Sequence, residues 1–163
     1  MPRIVADSGP LRYLVLIGDV AILPAVAGDV VIPPEVRAEL DHSRTPASVR
    51  AWIAEPPPWL EIRPGPPATD PALALLDPGE QAAIALADAI GADALLMDDR
   101  TGVGAALAKG LAVIGTLGVL DRAARRGLID LAAAFDRLRG TNFRYPPGLL
   151  EAMLASWHEG RVR

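Results

Sequence analysis

Short runs of aliphatic residues alternate along the chain with longer stretches in which apolar residues recur every three or four positions. RIVAD (3–7), DVVIP (29–33), LEIR (60–63), ALLMD (94–98) and LAVIG (111–115) are the short runs. Their length, their Val and Ile content and the Gly, Pro and Asp residues around them predict strands. Helical patterns separate them: LRYLVLI (11–17), PEVRAEL (34–40), SVRAWIAE (48–55) and PGEQAAIALADAIG (78–91), the last with proline near its start and glycine at its end. Beyond LAVIG the pattern is helical throughout. TLGVLDRAARRG (116–127), IDLAAAFDRLRG (129–140) and PPGLLEAMLASWHEG (146–160) each begin near Thr, Asp or Pro and are expected to stop at glycine. Strands alternating with helices predict an α/β protein: three layers, α/β/α, with a central parallel sheet and extra C-terminal helices. The proline-dense stretch 55–71 reads as a surface connection around a weak strand, and residues 1–163 as a single domain.

Composition adds limits. The chain has no cysteine, which excludes a disulfide framework and thiolate chemistry and points to a reducing cytoplasm. No apolar run reaches the roughly 18 residues a membrane span needs, and the N-terminal MPRIVADSGP is too short in apolar character for a signal peptide. Charge is unevenly divided. Residues 1–99 hold six arginines against fifteen acids, whereas residues 100–163 hold ten basic residues against five acids. That asymmetry fits an acidic cation site beside a surface for a polyanion, and equally a solvated helical surface.

In a parallel sheet, function gathers where strands end at their carboxyl edge. The first predicted strand ends at Asp7, followed by Ser8, and the fourth ends at Asp98 and Asp99. Glu39 lies late in PEVRAEL, and Glu80 opens the helix after DPG, so both can lean over the same edge. Each has an ordinary explanation alone. Asp7 can be a turn or N-cap residue, Glu39 a surface acid, and Glu80 the partner of Asp77 in a capping box. Adjacent aspartates are harder to assign to structure, because one cap suffices for a helix. Jointly, oxygen donors from four segments suit a hard cation such as Mg²⁺ or Mn²⁺.

The blocks VADSGPLRYLVLIGDVAIL, VVIPPEVRAEL, LDPGEQAAIALADAIGADALLMDDRTG and LAVIGTLGVLDRAARRGLI resemble, over nearly the whole chain, the successive blocks of the PIN-domain superfamily, specifically its DUF3368 group. The resemblance implies a Mg²⁺- or Mn²⁺-dependent ribonuclease acting on RNA, of the kind often found as the toxin of a toxin–antitoxin pair, with a protein antitoxin as partner. It makes Asp7, Glu39, Glu80 and Asp99 the successive acids, with Asp98 as their neighbour and Ser8 as the small hydroxyl after the first. This chain departs from many such toxins in its glutamate at the third position, its extra C-terminal helices and its proline-rich connection. A fold that binds nucleic acid or protein without cleaving is the competing reading.

The remaining residues take supporting parts. Arg100 can contact a phosphate or pair with Asp98, and pairing is expected. Arg122, Arg125, Arg126 and Arg144 are candidates for tracking a nucleic-acid backbone. His42 and His158 lack metal-ligand spacing and are expected at the surface. Gly102 and Gly104 lack the third glycine of a dinucleotide fingerprint, and the lone Lys109 precedes LAVIG, where a phosphoacceptor receiver domain needs a lysine after it. Seven aromatic residues offer few stacking platforms; core packing explains most of the apolar residues in LRYLVLI and LLEAMLASWH, and the surplus suggests a homodimer face or antitoxin groove.

Overall fold

The structure, a computed structural model, describes residues 2–162. Five strands, β1 (Arg3–Ala6), β2 (Asp29–Ile32), β3 (Leu60–Ile62), β4 (Ala94–Leu96) and β5 (Val113–Ile114), form one parallel sheet in the order β3-β2-β1-β4-β5. β1 lies at its centre, pairing Val5 with Val31 of β2 on one side and with Leu95 of β4 on the other. Ile4, Val5, Ala6, Val30, Val31, Ile32, Leu95 and Leu96 are all buried. Consecutive residues of a strand point to opposite faces, so burial of all of them requires cover on both faces. The alternation of strand and helix in the sequence meets that requirement.

Between β1 and β2 run α1 (Ser8–Leu16) and α2 (Leu23–Ala27); between β2 and β3, α3 (Pro34–Leu40) and α4 (Ala47–Ala54). α5 (Pro78–Ile90) crosses back to β4, and α6 (Arg100–Ala108) leads to β5. Right-handed crossovers assign α1–α4 to one face and α5–α6 to the other. α5 begins at Pro78 and closes at Gly91, whose φ of 62° is the left-handed conformation that lets the chain leave a helix. α7 (Thr116–Arg125) packs on α1 and α2, and α8 (Leu131–Arg139) and α9 (Leu149–Val162) pack on α7. Phe135, Leu138, Leu150 and Trp157 extend the core there.

The expected strands and helices are present at these positions, with three differences. α2 has no counterpart in the expected set, because the apolar run DVAILPAVAG carries no clear period. α6 was hidden by Gly102 and Gly104, which lower helix propensity. α9 passes through Gly160 to Val162 where a stop was expected. The supposed spare apolar face is largely used inside: Leu11, Leu14, Leu150 and Trp157 are buried, and Tyr13, Met153 and Leu154 pack half-buried against the core. Among the described residues no single helix is long and apolar enough to cross a membrane.

Candidate active site

β1 connects leftward to β2 while β4 connects rightward to β5, so the two central strands part company at their carboxyl ends. A crevice opens at such a switch point. Asp7 follows β1 and is tied to the neighbouring strand by its own N–H, which donates to Leu96 O at 2.8 Å. Asp98 and Asp99 follow β4 across the same gap. α3 and α5 pack together and bring Glu39, from the last turn of one, over the first turn of the other. There the Gly79 N–H donates to Glu39 Oε1 at 3.1 Å, and the Ser8 hydroxyl donates to Glu39 Oε2 at 2.6 Å. Ser8 thereby links the first acid's loop to the second acid.

The acids differ in what holds them. Asp99 is exposed and caps α6, accepting from Gly102 N–H at 3.2 Å. Asp98 is half-buried and held at both oxygens by one residue: Thr116 N–H donates to Oδ1 at 2.8 Å and the Thr116 hydroxyl to Oδ2 at 2.6 Å. Asp7 and Glu80 are only 6% and 8% exposed, and Asp7 Oδ1 and Glu80 Oε2 are shut in with no donor. Asp7 occupies the N-cap position of α1 without making a side-chain cap. The capping reading therefore does not account for it.

Burial raises the carboxyls of Asp7, Glu39, Glu80 and Asp98. Asp7 is pushed up to about 7 by desolvation, opposed by the Ser8 backbone and reinforced by the charges of Glu39, Asp77 and Asp98. Glu80 is raised by desolvation and then by Asp77, Asp99 and Asp7. Glu39 is raised by desolvation despite the Ser8 hydroxyl, and Asp98 by desolvation despite Thr116. Asp77, read from sequence as the α5 cap, does accept from Glu80 N–H at 2.8 Å. It also faces Glu39 and Glu80 closely enough to raise both, so it is an acid of the cluster as well as a cap.

Glycines make room for the carboxylates. A Cβ on Gly79 would strike Glu39, one on Gly102 would strike Glu80 Oε2 and lie 2.7 Å from Met97 Sδ, and one on Gly115 would lie 2.8 Å from Asp98 Oδ1. Thr116 is a functional residue beyond the sequence-based set; its signal in the sequence is a hydroxyl residue just past the end of β5, the strand next to β4. Thr116→Val is expected to leave Asp98 Oδ2 without its donor and to cost about 1–2 kcal/mol, or roughly 2–8 °C in melting temperature, by calorimetry. An unchanged melting temperature would mean that water replaces the hydroxyl.

Buried carboxylate oxygens lacking donors, gathered with like charges, fit a divalent cation, which supplies the missing positive charge and accepts oxygen ligands. As the side chains lie, no group of three or more His, Asp or Glu among the described residues stands in position to hold one metal ion. Glu39 and Asp98 have their oxygens engaged by Ser8, Gly79 and Thr116.

None of the candidate arginines bonds an acid of this cluster among the described residues. Arg100 makes no ion pair among the described residues, contrary to the expected pairing with Asp98, because α6 begins at Arg100 and leaves it exposed while Thr116 occupies both Asp98 oxygens. α7 starts at Thr116, so Arg125 stands about 14 Å further along the helix axis. Arg125 bonds Asp121 and Ser156, Arg126 bonds Ala25 O, and Arg122 is exposed. Arg144 is exposed in the loop between α8 and α9. Both histidines are at the surface.

Residues 3–159 match a family model described as DUF3368, a PIN domain. No curated protein and no solved structure matches the sequence.

Proposed function

We propose that this chain, which belongs to the DUF3368 family of PIN domains, is a Mg²⁺- or Mn²⁺-dependent endoribonuclease. The PIN domain is a nuclease-type fold, and phosphodiester hydrolysis is the chemistry to be explained. The observation that carries the reading is the pair of donorless buried oxygens, Asp7 Oδ1 and Glu80 Oε2, at the switch point of the sheet. Nothing in the packing of a core calls for them. Asp7, Glu39, Glu80 and Asp99, with Asp98 beside them, would hold the cation, which when bound supplies a water of lowered pKa and positive charge for the phosphodiester.

The chain's own residues do the rest. The Ser8 hydroxyl and Gly79 N–H fix the rotation of the Glu39 carboxylate, and Thr116 fixes Asp98. The burial of Asp7 and Glu80 excludes bulk water from that side of the crevice. Asp99 is the exposed acid and meets the entering phosphate backbone first. The chain's place as the toxin of a toxin–antitoxin pair and a protein antitoxin belong to the same proposal and rest on the family resemblance; a cytoplasmic setting rests on the absence of cysteine, and a homodimer on the apolar residues the core leaves half-buried, among them Tyr13, Met153 and Leu154.

A second reading, a PIN fold that binds nucleic acid or protein without cleaving it, is favoured by one observation: among the described residues no three acids stand together around a single cation position. One experiment separates the two. Purified protein is incubated with a pool of structured and single-stranded RNA, with Mg²⁺, with Mn²⁺ and with EDTA, while calorimetry measures cation binding. Cleavage that requires the cation and disappears in Asp99→Asn supports the nuclease. Cation binding without cleavage of any RNA favours the binding module, and absence of both overturns the acidic site.

A further inference from the structure

Both tyrosines of the chain and the one phenylalanine that is not fully buried gather against a single helix face beside the acids. α1 sets this up. A Cβ on Gly9 would point to Asp98 Oδ2, 4.0 Å away, and Tyr13 lies four residues on, on the same helix face and about 6 Å along the axis. Phe143 meets the Tyr13 ring edge-on with centroids 5.0 Å apart, and Tyr145 stacks with Phe143 at 6.3 Å and 21°. The Tyr13 hydroxyl donates to Asn142 Oδ1 at 2.9 Å, and Thr141 accepts from Phe143 N–H at 3.2 Å, so the segment 141–145 is seated before any ligand arrives.

Charge accompanies the rings. Arg144 is exposed between the half-buried Phe143 and Tyr145, with no ion-pair partner among the described residues. Arg12, one turn beyond Ser8 on α1, has its guanidinium 5.9 Å from the Tyr13 ring centroid and its Nε shut in without an acceptor. Two cations and three rings thus gather on α1 and the 141–145 segment packed against it, and the N-terminal turn of α1 carries Ser8 and Gly9 beside the acids, which themselves repel phosphate. Alternating cation and aromatic side chains are what an unpaired strand needs: phosphate contacts on one side and flat surfaces for bases on the other. A duplex hides its base faces and offers nothing to stack.

We infer that Tyr13, Phe143, Tyr145, Arg12 and Arg144 form a platform that seats a single-stranded segment of the RNA leading into the acidic crevice. The inference rests on the ribonuclease reading and names the form of substrate it takes. The platform binds unpaired nucleotides, and the scissile phosphate lies at the end of that segment where Gly9 gives way to Asp98.

Fluorescence anisotropy of the full chain in EDTA, which holds cleavage off, with a labelled oligoribonucleotide of about 12 nucleotides and the same strand annealed into a duplex, tests this. The single strand is expected to bind at least about tenfold more tightly than the duplex. Arg144→Ala, a substitution at an exposed position, is expected to weaken single-strand binding and reduce its salt slope by about 1. Phe143→Leu, checked for an unchanged far-UV circular dichroism spectrum, is expected to weaken it about five- to a hundredfold. Equal binding of strand and duplex, or an affinity and salt slope unmoved by Arg144→Ala, would overturn the platform while leaving the nuclease reading intact. A wild-type chain that binds neither form of RNA in EDTA would also overturn the platform, and cation-dependent cleavage of the RNA pool then decides the ribonuclease reading separately.

Discussion

Asp7→Asn is expected to raise the melting temperature of the cation-free protein at pH 8 by several degrees and, in the same variant, to lower cation-dependent RNA cleavage on the order of 10²- to 10³-fold, the loss seen when a preorganised electrostatic group is removed. The two effects have one cause. Asp7 is 6% exposed, has an oxygen with no donor, and sits beside Glu39, Asp77 and Asp98. Its carboxyl is pushed from 3.8 up to about 7, so ionising it in the folded chain costs up to about 4 kcal/mol relative to the unfolded chain. Asparagine has nearly the same shape and no charge to desolvate, and its amide N–H groups can donate to the neighbouring carboxylates. A gain of about 1–3 kcal/mol, or roughly 2–12 °C, is therefore expected by scanning calorimetry. A structural aspartate behaves in the opposite way, because removing its charge removes a bond. Loss of stability in Asp7→Asn at pH 8 would show that Asp7 holds the fold together, and the account of it as an acid kept buried for chemistry would fail.

The position of Asp7 was legible in the sequence, whereas its cost was not. RIVAD and ALLMD announce two buried strands that end in acids, and the rule that function gathers at carboxyl edges then brings Asp7 and Asp98–Asp99 together. Adjacency of β1 and β4, which the rule needs, is in the structure as the order β3-β2-β1-β4-β5. A sequence does not tell which of two neighbouring aspartates turns inward. Asp98 is the half-buried one, clamped by Thr116, and Asp99 is the exposed cap of α6. Thr116 lies 18 residues from Asp98 in the chain and meets it only because β5 pairs with β4. Asp77 was legible as a cap and proves to be one, but its proximity to Glu39 depends on α3 packing against α5. Likewise the small number of aromatic residues offers few stacking platforms by count, whereas the return of the 141–145 loop to α1 brings three of them, Tyr13, Phe143 and Tyr145, together.

Stability of the cation-free protein is expected to fall as pH rises from about 4 through 7, against the ordinary tendency for folded proteins to be most stable between about pH 5 and 8. The sign follows from the protons. Unfolded, Asp7 gives up its proton near 3.8; folded, it keeps it to about 7. Between those values the folded chain binds more protons than the unfolded chain, so each step up in pH favours unfolding. Glu39, Glu80 and Asp98 are displaced in the same direction by the same burial and add to the slope. Asp70, lowered by Lys109, acts oppositely, but that pair is at the surface and its contribution is screened. One excess proton is worth about 1.4 kcal/mol per pH unit, enough to move the melting temperature by several degrees across the window. Mn²⁺ or Mg²⁺ at millimolar concentration competes with those protons for the same oxygens, so its stabilising effect is expected to be near zero at pH 5 and to grow to several degrees at pH 8. Thermal unfolding followed by circular dichroism at fixed ionic strength, with and without the cation, reads both trends, and Asp7→Asn should flatten the first. A melting temperature that rises from pH 5 to 8 without cation would mean that the acids are ionised and compensated within the fold. An equal cation effect at pH 5 and pH 8 would mean general screening of charge, in which case the oxygens of Asp7 and Glu80 are not where the cation goes.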